Sequence, residues 1–273
     1  MAKIDLNKVA VEYPVPHMQN RSFVGAVKNA AIGGLIKREK VLRIRALDGV
    51  TMTLSDGDRV GLLGRNGAGK TTLLKTMAAI LPPTEGRVVV EGRISPLISM
   101  MLGLDNEASG YENIRIRGRL MGFAEEEINA VMPEIAAFTE LQDYLDLPLK
   151  TYSSGMRMRL TFAASTAFKP EVLLLDEWLG TGDLEFRNKA AKRLRELIAE
   201  SGVFVFASHS RDLHKRISNK GAVLENGKLL FFGDINDAFE FQDARRARLE
   251  DPSPKRKKNK RKSAAKKEAT PQS

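Results

Sequence analysis

Apolar and polar positions along this chain switch between a period near two and a period near 3.6, and the switches outline its elements. Lys3 to Tyr13 alternates roughly and reads as a strand, broken by Pro14 and Pro16. In His17 to Lys40, Val24, Val27, Ala31 and Leu35 fall at helical spacing, although Gly33 and Gly34 weaken that helix. Leu42 to Leu54 returns to strand character and closes on Ser55-Asp56-Gly57-Asp58. Arg59 to Leu63 is apolar enough for a buried strand, and Thr71 to Ile80 reads as a helix. Pro82, Pro83 and Gly86 mark a turn before the short strand Arg87 to Glu91. Ser95 to Tyr111 shows no regular pattern. Glu112 to Leu145 is helical in pattern, with Pro133 expected at a helix start. Ser154 to Phe168 predicts a further helix and Glu171 to Asp176 a buried strand ending in acid. Leu184 to Glu200 is an amphipathic helix, Val203 to Ala207 a strand, and Arg211 to Ile217 a short helix. Ala222 to Glu225 and Lys228 to Phe232 form a hairpin about Asn226-Gly227, and Asp234 to Leu249 a last helix. Strands alternating with helices imply a parallel sheet that places ligands at the strand C-termini.

Composition narrows the setting. The 273 residues, 42% hydrophobic, allow one large domain with appendages. There are no cysteines, which excludes disulfides and thiolate metal sites. No run approaches the roughly 18 apolar residues of a membrane helix, and the N-terminus lacks the apolar centre of a signal peptide. A cytosolic protein is the expectation. The net charge of +10 is uneven: nine Lys/Arg and two acids fall in 251–273. The high isoelectric point therefore describes a tail, too polar to fold alone.

The chemistry starts at Gly64-Arg65-Asn66-Gly67-Ala68-Gly69-Lys70-Thr71-Thr72, which satisfies G-x-x-x-x-G-K-[ST] between a strand and a helix. Glycines let successive backbone N–H groups turn inward on a phosphate, and the helix N-terminus adds its dipole. Lys70 is placed to reach the β/γ-phosphates and the Thr71 hydroxyl to hold Mg²⁺. Downstream, Val172-Leu173-Leu174-Leu175 delivers Asp176 to the sheet edge as a second Mg²⁺ ligand. Glu177, one step on, points elsewhere and is the natural group to orient or deprotonate an attacking water. Ser153 and Gly155 open a helix, where an ordinary N-cap serine is the simpler local reading and an anion site the other. His209 follows the strand Val203 to Phe206, where an imidazole can hydrogen-bond a γ-phosphate, although a lone histidine is more often structural.

Together these pieces resemble the nucleotide-binding subunit of an ABC transporter, over about Lys3 to Leu249. Gly64 to Thr71 is similar to the Walker A motif and Leu173 to Glu177 to Walker B with the catalytic glutamate. Tyr152 to Met156, here YSSGM, resembles the LSGGQ signature. Gly180 to Asp183 resembles the D-loop, and His209 the switch histidine. The resemblance implies a RecA-like P-loop NTPase: an α/β parallel-sheet core, an N-terminal antiparallel β subdomain, a helical signature subdomain and a disordered basic C-terminal tail. Its expected divisions are a cassette over 1–250, a helical subdomain near 106–168, an insertion near 14–45 and a tail over 251–273. It further implies ATP and Mg²⁺, with Glu177, His209 and Lys70 in catalysis. The two copies of a homodimer would pack head to tail, Ser153 and Gly155 of each reaching the ATP on the other. Tyr13 is the candidate to stack on adenine. The Q-loop glutamine has no counterpart; Ser99 stands there.

Ser109-Gly110-Tyr111-Glu112-Asn113, the YSSGM stretch and Asp176-Glu177-Trp178-Leu179-Gly180-Thr181-Gly182-Asp183 resemble one subfamily, the ATPases of polysaccharide exporters. That implies export of a lipid-linked polysaccharide, of O-antigen or capsule type, through a separate transmembrane permease, with the ATPase peripheral on the cytoplasmic face. A soluble nucleic-acid-linked ABC ATPase, or the ATPase of another importer or exporter, are the alternatives. The tail is either a solvated extension or a basic segment drawn to an anionic leaflet, at about 1 kcal/mol per residue close to the surface. Truncation after Leu249 decides between them: lost low-salt liposome binding supports attraction, and unchanged binding rules it out.

Overall fold

The computed structural model describes residues 1–14, 43–98, 100–101, 103–177 and 184–250, without the side chains of 249 and 250. The helix read in 17–40, Ser99, the D-loop stretch 180–183 and the tail lie outside the described residues.

The N-terminal strands form an antiparallel sheet of order β2-β1-β4, from β1 (Lys3–Pro14), β2 (Arg43–Ser55) and β4 (Glu85–Glu91). The imperfect alternation of β1 has a structural cause. Ile4 and Leu6 are buried, then Val9 and Val11, a one-residue change of phase. A bulge between Leu6 and Val9 absorbs it, with Lys8 at φ 50° and its N–H donating to Thr51 Oγ1 at 2.9 Å. The bulge keeps all four apolar side chains on the core face.

The second sheet has the order β5-β6-β7-β3-β8-β9: β5 (Ile94–Leu97), β6 (Val172–Asp176), β7 (Val203–Ala207), β3 (Arg59–Leu63), β8 (Lys220–Glu225) and β9 (Lys228–Asp234). The first five run parallel and β9 returns antiparallel. Helix α1 (Lys70–Met77) follows β3. One face of this sheet joins α1 and the antiparallel sheet in the main core: Val60, Leu62, Val172, Leu174, Val203 and Val205 pack with Leu73, Leu74 and Met77. On the other face Leu173, Leu175, Phe204 and Phe206 meet Leu194, Leu197 and Ile198 of α5 (Leu184–Glu200). Both faces are covered, which is why these strands read as continuous apolar runs. Later in the chain come α6 (Arg211–Ile217) and α7 (Ile235–Glu250).

A third core holds α2 (Gly110–Leu120), α3 (Glu125–Thr139) and α4 (Ser154–Thr166), with Ile114, Ile128, Ile135, Leu145 and Leu160 buried together. Three expectations are corrected here. The stretch read as irregular after Ser95 contains β5, a parallel strand four residues long and so too short to show a period. The segment 112–145 is two helices and a 3₁₀ turn, parted at Gly122 (φ 82°). Helix α2 begins at a capping box, Ser109 accepting from the Glu112 N–H while Glu112 accepts from the Ser109 N–H. Pro133 does not start a helix; it lies inside α3. Ile128, Met132, Ile135 and Thr139 are buried as one stripe, while Pro133 sits on the exposed face. Tertiary burial of that stripe outweighs the lost backbone bond.

Gly86 and Gly122 both have left-handed φ, 80° and 82°, but only at Gly86 would a Cβ collide with backbone, 2.3 Å from the Lys8 carbonyl oxygen. Gly122→Ala is expected to cost about 1 kcal/mol from backbone strain alone, and Gly86→Ala clearly more. Denaturant unfolding checks the order; equal losses would show that the β1–β4 contact yields.

Candidate functional site

The parallel strands point their C-terminal ends at one place, and sheet order decides what meets there. β7 lies between β3 and β6, so the loop after β7 stands between the P-loop and Asp176. A cavity of about 680 Å³ opens at this edge. Its walls include Asn66, Gly67, Ala68, Gly69, Lys70, Thr71 and Thr72 from one side, and Asp176, Glu177 and His209 from the other. Tyr13 lines it as well.

The P-loop is shaped by what it lacks. Gly64 (φ 150°) would put a Cβ 2.4 Å from the Leu224 carbonyl oxygen, and Gly69 (φ 105°) one 2.8 Å from that of Ala46. The loop is therefore pressed between β8 and β2, with room only for glycine. The β8–β9 turn locks it further: Gly227 N–H donates to the Ala68 carbonyl at 3.0 Å, and Asp48 N–H to that of Gly227 at 2.9 Å. Lys70 Nζ donates to the carbonyls of Gly64 (2.7 Å) and Arg65 (3.1 Å). Burial pushes its ammonium below the usual lysine range, while Asp176 and Glu177 pull the other way. Gly64 and Arg65 do not line the cavity. They shape the loop instead, and the Arg65 side chain is exposed.

Strand parity orients the two carboxylates. Val172 and Leu174 face the α1 side, so Asp176, two residues on, faces it too. At Glu177 the chain leaves the strand through a left-handed φ of 65°, its N–H held by the Ala207 carbonyl at 3.0 Å. Such a conformation in a non-glycine residue costs on the order of 1–3 kcal/mol. It swings the Glu177 carboxylate away from the Asp176 direction and toward His209, whose Nε2 lies 3.4 Å from Glu177 Oε1. Both side chains remain open to solvent.

The Thr71 hydroxyl and the Asp176 carboxylate are hard oxygen donors on the same cavity. Among the described residues no group of three His, Cys, Asp or Glu could hold a metal ion. Two protein oxygens suit Mg²⁺, which takes its other ligands from phosphate and water.

Ser153 and Gly155 do not line this cavity. Ser153 is the N-cap of α4, accepting from the Met156 N–H at 3.2 Å, and both residues are exposed. Behind them Tyr152 is buried, donating to the Tyr144 carbonyl at 2.5 Å; burial pushes its phenol up to about 12. Sequence reading missed the other cavity walls: Ile44, Arg45 and Ala46 of β2, and Asn226-Gly227. The Asn-Gly turn was legible as a turn, but nothing local says that it abuts the P-loop.

A family model described as ABC transporter matches residues 47–180. An O-antigen export system ATP-binding protein, RfbE of Yersinia enterocolitica, is 44% identical over 229 residues, which is 83% of this chain and 96% of that protein. The chain belongs to the ABC transporter family. The teichoic acids export ATP-binding protein TagH of Shouchella clausii (strain KSM-K16) is 37% identical over 203 residues, 74% of this chain and 56% of its own length. A solved ATP-binding cassette, a dimer in a post-hydrolysis state with ADP and Pi, shares the fold at a TM-score of 0.61 and 18% identity, over 85% of this chain and 98% of the other. The chain is thus an ABC cassette, and its activity is ATP hydrolysis.

Tyr13 is exposed (38%) and lines the cavity together with Ile44, its partner across β1 and β2. Tyr13→Ala is expected to weaken ATP binding about tenfold, from lost stacking of roughly 1–3 kcal/mol, with folding intact. Titration of the folded variant with ATP checks this; parent affinity would make Tyr13 simple packing.

Proposed function

We propose that this cassette powers export of a lipid-linked polysaccharide, of O-antigen or capsule type, across the inner membrane. The reading rests on the juxtaposition of Lys70, Asp176, Glu177 and His209 around one cavity, in a chain whose relatives are named for O-antigen and teichoic acid export. Among the described residues no helix is long and apolar enough to cross a membrane. The channel is therefore assigned to a separate permease, with the cassette peripheral on its cytoplasmic face. The proposed divisions are the cassette over 1–250, with its helical subdomain near 106–168, and the basic tail.

In this reading the triphosphate lies along Asn66 to Thr72, with backbone N–H groups and Lys70 taking its charge, on a loop that Gly64 and Arg65 shape. Thr71 and Asp176 would hold Mg²⁺, which when bound neutralises charge on the β- and γ-phosphate oxygens. Glu177 orients and deprotonates the attacking water, and His209, next to it, donates to the γ-phosphate. The exposed Ser153 and Gly155, which do not line this cavity, would serve the cavity of a second copy, packed head to tail. ATP then binds the closed dimer more tightly than the open one, and cleavage of the γ-phosphate removes the contact that favoured closure. That cycle is what the permease would use.

Glu177→Gln is expected to retain ATP affinity and lose turnover by on the order of 10² or more, because the amide cannot take the proton of water. Nucleotide titration beside steady-state hydrolysis separates the two effects. Hydrolysis at the parent rate would remove Glu177 from the reaction. Glycan analysis of a deletion strain tests the cargo.

A further inference from the structure

The chain has a second histidine near the ATP site, and it is buried. His214 lies on α6 with 1% of its surface exposed, its ring stacked on Phe206 at 4.5 Å. Its Nε2 is 3.0 Å from the carbonyl oxygen of Ser208, the residue before His209. A carbonyl only accepts, so Nε2 carries the hydrogen and Nδ1 the lone pair. Nδ1 points at the β3 strand, where Gly61 makes room: a Cβ there would stand 2.3 Å from Nδ1. Neither Nδ1 nor the neighbouring Ser218 Oγ has a hydrogen-bond partner among the described residues. Burial pushes the imidazole below the usual histidine range, against the raising effect of its bond to Ser208.

We propose that His214 is a positioning residue: its Nε2–H holds the Ser208 carbonyl and thereby fixes where His209 stands relative to Glu177 and the γ-phosphate. This rests on the reading of His209 given above. Packing alone gives no reason for an imidazole here. A phenyl ring would fill the slot between Phe206 and Phe239 without burying an unpaired Nδ1. What the imidazole adds is the bond to Ser208. The stretch it holds is short: Ser208 and His209 lie between Ala207, whose carbonyl accepts from the Glu177 N–H, and Ser210, the N-cap of α6, whose N–H donates to Ser208 Oγ. The platform under His214 is rigid. Arg211 of α6 makes two hydrogen bonds to Asp243 of α7, at 2.9 and 2.7 Å, and lies over the Phe239 ring at 4.3 Å. His214 thus ties α6, where it packs against Gly61 of β3, to the carbonyl of the residue that precedes His209.

Two substitutions separate this from a merely structural role. His214→Phe keeps the ring and removes the donor; His214→Gln places an amide nitrogen close to where Nε2 was. In the full-length chain, His214→Phe is expected to lower kcat at least fivefold with KM for ATP within twofold. His214→Gln should recover most of kcat. Amide exchange in 207–211 should be faster in His214→Phe than in the parent or in Leu213→Ala, which loosens the same helix without touching the bond. The proposal is overturned by a kcat within twofold for His214→Phe, by an equal loss in His214→Gln, or by unchanged exchange. Should His214→Phe not fold, His214→Leu is read in the same way; failure of both marks a core residue and also overturns it. His209→Ala is measured alongside. If it keeps full turnover, the role given to His209 falls, while exchange still decides whether His214 positions the loop.

Discussion

The site depends on three stretches of backbone approaching each other more closely than any side chain would allow. Leu224 of β8, Ala46 of β2 and the P-loop meet through carbonyl oxygens at Gly64 and Gly69, and the Asn226-Gly227 turn bonds to Ala68 from the same side. Without that contact the loop would not hold its left-handed turns, and its N–H groups would not converge on a common point. The two sheets are therefore joined at the cavity itself, not only through the apolar core beneath it.

Around this junction the catalytic geometry is a matter of strand ends. Parity turns Asp176 toward the P-loop, and the strained φ of Glu177 turns the next carboxylate the other way. Two acids adjacent in sequence are thereby given different directions, as the metal-binding and water-activating roles proposed for them would require. The strain is offset by the strand pairing that precedes it, where β6 and β7 stay in register from Val172 with Val203 to Asp176 with Ala207. His209 completes the group from β7, and His214 braces the loop that carries it.

Much of this was legible in the residues. Apolar runs located β3, β6 and β7, and the Walker-type pattern located the loop, because both are local: a buried strand must be apolar throughout, and a phosphate turn must have glycine where φ is positive. The failures were also local in origin. Strand β5 is four residues long and includes Pro96, so neither period nor propensity announces it; pairing with β6 makes it a strand. Pro133 reads as a helix start because its missing N–H is harmless there, yet the stripe from Ile128 to Thr139 holds the helix through it. The Ser109–Glu112 capping box was a signal present in the residues that would have set the start of α2.

Sequence alone determined which residue types could bind a triphosphate and the order in which the elements run, since these follow from chemistry and hydrophobic period over a few residues. It also identified the family, because motif order survives without coordinates. Tertiary structure alone decided that the Asn226-Gly227 turn and β2 wall the cavity, that Glu177 faces His209, and that His214 reaches Ser208. These are contacts between segments far apart in the chain or brought round by a backbone turn, and only strand order and close packing can set them.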